Sequence, residues 1–67
     1  MIALTINGET RTFPAPISVS DLVEQLDLAG KRIALERNGE IVPRSRFEAT
    51  QLADGDALEI VVAVGGG

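Results

Sequence analysis

The chain has 67 residues, six Lys and Arg against ten Asp and Glu, and no His, Cys, Trp or Tyr. A domain this small buries only about 60% of its unfolded surface and has little room for a catalytic cleft, and the missing side chains remove the usual general base, thiolate nucleophile, soft metal ligands and stacking platforms. A net charge of -4 disfavours nucleic acid and anionic membrane and favours a basic surface on a protein partner. With 45% apolar and 24% charged residues, the composition is that of an ordinary globular domain. The N-terminal residues Met1 to Ile6 lack the basic start and long apolar stretch of a secretion signal, and no window approaches the ~20 apolar residues of a membrane span. The expectation is a soluble, cytoplasmic protein.

The chain opens with Ile2, Leu4 and Ile6 in alternation, followed by Asn7-Gly8, the dipeptide that supplies the positive φ values of a two-residue hairpin turn. The return strand runs from about Glu9 to Phe13, where Pro14 and Pro16 remove backbone donors and stop the ladder. The apolar period then changes from two to 3.6. Val19, Leu22, Val23 and Leu26 fall on one helical face. Ser18 and Asp21 have the spacing of a capping box, and Gly30 suits the left-handed position after the last turn, so the expected helix spans roughly Val19 to Ala29.

A third strand carries Ile33 and Leu35, Asn38-Gly39 makes a second turn, and Glu40 to Val42 form a short fourth strand ended by Pro43. From Arg44 to Thr50 the pattern is irregular, with Phe47 anchoring a loop or a single helical turn to the core. Asp54-Gly55-Asp56 marks another turn. The run Leu58 to Val64 is nearly continuous in apolar residues, as a central strand with neighbours on both sides should be. The order is strand, strand, helix, strand, strand, loop, strand: an α+β two-layer design with one helix covering one face of a mixed sheet of four to five strands. The long connection allows the last strand to pair in parallel with the first. The other sheet face is left partly open.

Residues 1–64 thus form one domain, and Gly65-Gly66-Gly67 follow its last strand as a flexible tail. Ordering three glycines costs ~1 to 2 kcal/mol each or more, and nothing in folding asks for them. A slender arm ending in a carboxylate could enter another protein's active site, where activation as an acyl-adenylate would give the carbonyl of Gly67 a competent leaving group. The alternative is a frayed terminus. Of the remaining candidates, Asp54 and Asp56 read as turn residues or as part of a cation site that lacks further oxygen ligands. Ser18, Ser20 and Ser45 have no His to activate them. Lys31, Arg32, Arg44 and Arg46 read as solvated surface or a weak phosphate patch. Ile41, Val42 and Pro43 either pack in the core or, with Arg44 and Val64, form a docking patch beside the tail.

Several of these segments carry a resemblance that covers the whole chain. They are Ser18-Val19-Ser20-Asp21-Leu22-Val23 opening the helix, Asn38-Gly39-Glu40-Ile41-Val42-Pro43-Arg44, Asp54-Gly55-Asp56, and the terminal glycines. In these the chain resembles the ubiquitin-like β-grasp sulfur carriers, and within them the ThiS carriers of thiamine biosynthesis, from which Gly65 departs where many relatives have a larger residue. The resemblance implies a recycled co-substrate, not an enzyme, with no bound cofactor or metal. It implies a ubiquitin-activating-like (ThiF-type) adenylating partner that uses ATP and magnesium to activate Gly67. A cysteine desulfurase or other persulfide donor supplies sulfur, and thiazole synthase (ThiG type) takes it from the resulting thiocarboxylate. Two alternatives stand beside it: a carrier of the molybdopterin-synthase small-subunit type, disfavoured by the aliphatic Val62-Ala63-Val64 approach to the glycines, and a non-covalent β-grasp binding module with an inert tail.

Overall fold

The computed structural model describes residues 1–63. Val64 and the three glycines lie outside the described residues, and with them the expected domain end and tail. Strands β1 (Ile2–Ile6), β2 (Glu9–Phe13), β3 (Ile33–Arg37), β4 (Glu40–Ile41) and β5 (Ala57–Val62) form one sheet in the order β2-β1-β5-β3-β4. β5 is central and parallel to β1, as the sequence predicts, and its other neighbour β3 is antiparallel to it. One helix, α1 (Val19–Gln25), lies among the core residues on one face, and a short 3₁₀ turn spans Arg44–Arg46.

Both hairpins turn at Asn-Gly. Asn7 and Asn38 have φ of 51° each, with Gly8 at 84° and Gly39 at 85°, the double positive φ of a type I′ turn. The α1 N-terminus is closed in both directions: the Asp21 amide donates to Ser18 Oγ at 3.0 Å, and the Ser18 amide donates to Asp21 Oδ2 at 3.1 Å. Backbone hydrogen bonds then bind the helix entry to the segment after β4, with Val19 donating to Thr50, Ser20 to Phe47, and Leu52 to Ile17. The single helical turn expected near Phe47 is the 3₁₀ turn, and Phe47 is buried.

The helix ends earlier than the sequence predicts. Its last helical residue is Gln25, not Ala29, because Asp27 takes the left-handed conformation at φ 61°. The Asp27 amide donates to Glu24 and the Leu28 amide to Val23, the paired bonds of a Schellman closure. Gly30, at φ 86°, serves the next turn, in which the Lys31 amide donates to the Leu28 carbonyl. Leu26 and Leu28 still pack against the core from outside the helix.

Leu4, Ile17, Val19, Leu22, Leu35 and Leu58 are the largest fully buried side chains. Leu58 and Ile60 point to this core, and the alternation of the pleat turns Val61 the other way, leaving it 63% exposed. The expectation that β5 is buried on both faces is therefore corrected: it is central in its hydrogen bonding but covered on one side only. The packing predicts that Leu22→Ala costs about 3 kcal/mol and Val61→Ala no more than about 0.5 kcal/mol, measured by urea denaturation at unchanged m. Asp27→Gly, which relieves a left-handed L-residue, is expected to raise stability by roughly 0.5 to 1 kcal/mol in the same assay.

Candidate functional site

The reactive end proposed from the sequence, Gly65, Gly66 and Gly67, lies outside the described residues with Val64, so the site is built from what carries the chain up to Ala63. β5 enters the sheet from the turn at Asp54–Asp56. The Ala3 amide donates to Asp54 Oδ1 at 2.7 Å, and the Gly55 amide donates to the Ala3 carbonyl at 2.8 Å. The Asp56 carboxylate, 7% exposed, accepts from the Ala53 amide (2.8 Å), Arg37 Nε (2.8 Å) and Asn38 Nδ2 (3.0 Å). Burial by itself would push this carboxyl up. The Ala53 amide, Asn38 and Arg37 outweigh burial and hold it below the ordinary value of 3.8.

Asp54 and Asp56 are thus turn-fixing residues: Asp54 Oδ1 is taken by a backbone amide, and both oxygens of Asp56 by the Ala53 amide, Arg37 and Asn38. Among the described residues no three His, Cys, Asp or Glu side chains cluster to hold a metal ion.

The hairpin asparagines also hold β5. Asn7 donates from Nδ2 to the Ile60 carbonyl at 3.0 Å and accepts the Ile60 amide on Oδ1 at 2.7 Å. Asn38 accepts the Ala57 amide on Oδ1 at 2.9 Å while its Nδ2 is on Asp56. Each turn residue therefore ties β5 to the neighbouring hairpin.

At the far end of β5, Val62 stands opposite Ile33, and the Ala63 amide donates to the Arg32 carbonyl at 2.9 Å. Arg44 Nη2 donates to the Lys31 carbonyl at 2.7 Å, so Lys31, Arg32 and Arg44 gather where the described chain ends. All three are exposed.

The sequence-derived patch of Ile41, Val42, Pro43 and Arg44 divides. Ile41 is 74% exposed on the helix-free face, opposite Glu36. Val42 packs partly against the core, its amide on the Leu35 carbonyl at 2.9 Å. Pro43 and Arg44 are exposed. On the same open face Glu36 stands directly opposite Glu59, and Ile41 and Val61 flank this pair. Its odd spacing to Leu58 and Ile60 places Val61 on the opposite face of the strand, but which face the helix covers is not written in that spacing. Nothing local marks Lys31 and Arg32 as neighbours of Ala63, because only the long-range pairing of β3 with β5 brings them there.

The ThiS family model matches residues 4–67. The chain belongs to the ThiS family. It is 40% identical over 50 residues to the "Sulfur carrier protein ThiS" of Bacillus subtilis, covering 75% of this chain and 76% of that one. It is 47% identical over 64 residues to a "Thiazole synthase" of Paramagnetospirillum magneticum, covering 96% of this chain but only 20% of that protein, so it spans about a fifth of that relative's length. In three dimensions it is similar to the thiamine biosynthesis protein (ThiS) of Geobacter metallireducens, with a TM-score of 0.82 and 36% identity over 98% of this chain and 100% of that one. The expected ubiquitin-like β-grasp architecture agrees with this match and with the parallel pairing of β1 and β5. Among the described residues no helix is long and apolar enough to cross a membrane.

The Asp56 network gives a pH prediction. A carboxyl held low in the folded state contributes stability above the unfolded value of 3.8 and loses it as pH falls through the folded value. The urea midpoint is therefore expected to drop on acidification below about pH 4. Asp56→Asn is expected to be less stable at pH 7 and to show a smaller drop, and equal slopes for the two proteins would contradict the assignment.

Proposed function

We propose that this chain is a sulfur carrier for thiazole formation in thiamine biosynthesis, acting as a recycled co-substrate whose reacting group is the carboxylate of Gly67. The observation that carries this reading is the match of the ThiS family model through Gly67 itself. The described domain offers no competing chemistry, since its buried polar groups Ser18 and Asp56 are occupied in capping and turn-fixing. The thiazole synthase relative that contains a stretch 47% identical to this chain supports a thiazole synthase as the acceptor of the sulfur.

In the proposed cycle an adenylating enzyme of ubiquitin-activating type binds ATP and magnesium. The Gly67 carboxylate oxygen attacks the α-phosphorus, pyrophosphate leaves, and an acyl-adenylate results. The terminal sulfur of a persulfide, formed by a cysteine desulfurase or an equivalent donor, then displaces AMP. Reduction of the resulting S–S bond by a thiol leaves the thiocarboxylate. Thiazole synthase takes that sulfur and the carboxylate returns. Glycine leaves the carbonyl unhindered and the arm slender. The domain supplies recognition, with Ile41, Val42, Pro43, Arg44 and Val64 as docking residues and Gly65, Gly66 and Gly67 threading into the partner.

The test is intact mass after incubation with ATP, magnesium, cysteine, a desulfurase and a ThiF-type enzyme. Exchange of one oxygen for sulfur, localised by fragmentation to Gly67, is the expected result, and a chain lacking Gly66 and Gly67 is expected to remain unmodified while retaining its melting temperature. An unchanged mass alongside a known carrier that converts under the same conditions would leave the binding-module reading.

A further inference from the structure

The proposed function uses Arg44 for docking and leaves the cations beside it without a role. Of the six cations of the chain, Arg37 is neutralised by Asp56 at 2.8 Å, and Lys31, Arg32 and Arg44 collect around the point where Ala63 leaves the sheet. Their gathering is built into the backbone. The Arg32 carbonyl holds Ala63, and the Lys31 carbonyl holds the Arg44 guanidinium, which keeps further N–H groups free. Glu24 and Glu48 line a hollow of about 230 Å³ beside Arg44. Even so, the one ion pair among the described residues is that of Arg37 with Asp56. In a protein of net charge -4, three exposed cations at one end of the sheet that have no carboxylate partner among the described residues are a local inversion of sign.

Chain length decides what they can touch. Gly67 lies four residues beyond Ala63, and four residues span at most about 14 Å. When Gly67 occupies a partner's active site, the root of the tail is therefore held against the mouth of the channel that admits it. The triphosphate is then out of reach of the cations, because in-line attack sends the pyrophosphate away from the incoming carboxylate. What faces Lys31, Arg32 and Arg44 at that distance is the protein rim of the channel.

Resting on the sulfur-carrier reading, we infer that Lys31, Arg32 and Arg44 form a cationic collar that recognises an acidic rim around the tail channel of the adenylating partner, and so selects that partner. Such rim contacts act on encounter and specificity more than on the chemical step. They are screened over a Debye length of about 8 Å at physiological ionic strength.

The test compares full-length wild type with Arg32→Glu and with Arg11→Glu. The second makes the same change in net charge on the opposite edge strand, β2. Arg32 holds Ala63 through its backbone carbonyl, which the substitution retains, and thermal melting checks that both variants fold. The readouts are ATP–pyrophosphate exchange by a ThiF-type enzyme at rising carrier concentration and several salt concentrations, and direct binding by calorimetry without ATP. Arg32→Glu is expected to raise the KM for the carrier roughly tenfold with kcat little changed, to weaken binding by a similar factor, and to flatten its salt dependence. Arg11→Glu is expected to stay within about twofold of wild type. Equal effects of the two variants, or wild-type binding indifferent to salt, would overturn the collar. Wild type that binds in a salt-dependent, Arg32-dependent way but is never adenylated would overturn the carrier reading and leave the collar standing. Wild type that does not bind overturns the collar.

Discussion

The fold depends on the insertion of the last strand, β5, between β1 and β3. Without it the chain is two separate hairpins, each of which is marginal in water. The turn at Asp54–Asp56 starts that insertion in register. Asp54 caps the Ala3 amide, and Asp56 gathers Ala53, Arg37 and Asn38 onto one carboxylate. Asn7 and Asn38 then close the strand from either side. The bonds that zip the sheet together are thus concentrated in residues chosen for turns, and they fix where the chain emerges: beyond Val62, beside Arg32.

Much of this was legible in the sequence because it is written in local chemistry. Asn-Gly twice, Ser18 with Asp21, and the apolar spacing from Val19 to Leu26 each specify backbone geometry within a few residues. The last strand's central position was legible from its near-continuous apolar run. Its burial was not, because a run of Ile60, Val61 and Val62 does not say which face the helix covers, and α1 covers only the side of Leu58 and Ile60. The helix end misled for a related reason. Gly30 is the better left-handed residue in isolation, but Asp27 takes that conformation first and brings Leu28 back to the core, so packing overrides intrinsic preference. The candidate site rests in the sequence on its motif, Gly-Gly-Gly after a strand, which lies outside the described residues, and its surroundings were illegible. Lys31 and Arg32 lie some thirty residues from Ala63 in sequence and meet it only through the β3–β5 ladder.

The open face shows how little of the domain is spent on stability. Glu36 and Glu59 stand opposite each other on neighbouring strands, where like charges are destabilising, in an arrangement whose sign is worth roughly 0.2 to 1 kcal/mol. Ile41 and Val61 are left in water beside them. A sheet selected for stability alone would place Lys or Thr at such positions. The helix-covered face shows no comparable concession, since among the described residues every buried polar side-chain atom is satisfied. The two faces of one sheet are thus under different constraints, and the boundary between them runs down the centre of β5.

On the sulfur-carrier reading proposed above, that division lets a chain of 67 residues present a reacting group to partners that house the chemistry. A carrier must present its terminus to several active sites in turn, so the end must be free of the core while its root stays fixed. Fixing the root is what the Ala63–Arg32 bond and the Arg44 strut on Lys31 accomplish. Gly67 is four residues from Ala63, a span of at most about 14 Å, so on that reading a partner that takes Gly67 would also meet the charged root. The proposed carrier role would then couple recognition to reactivity through the spacing of Ala63 and Gly67: a longer spacing would let a partner take the carboxylate without reading the domain, and a shorter one would withhold it.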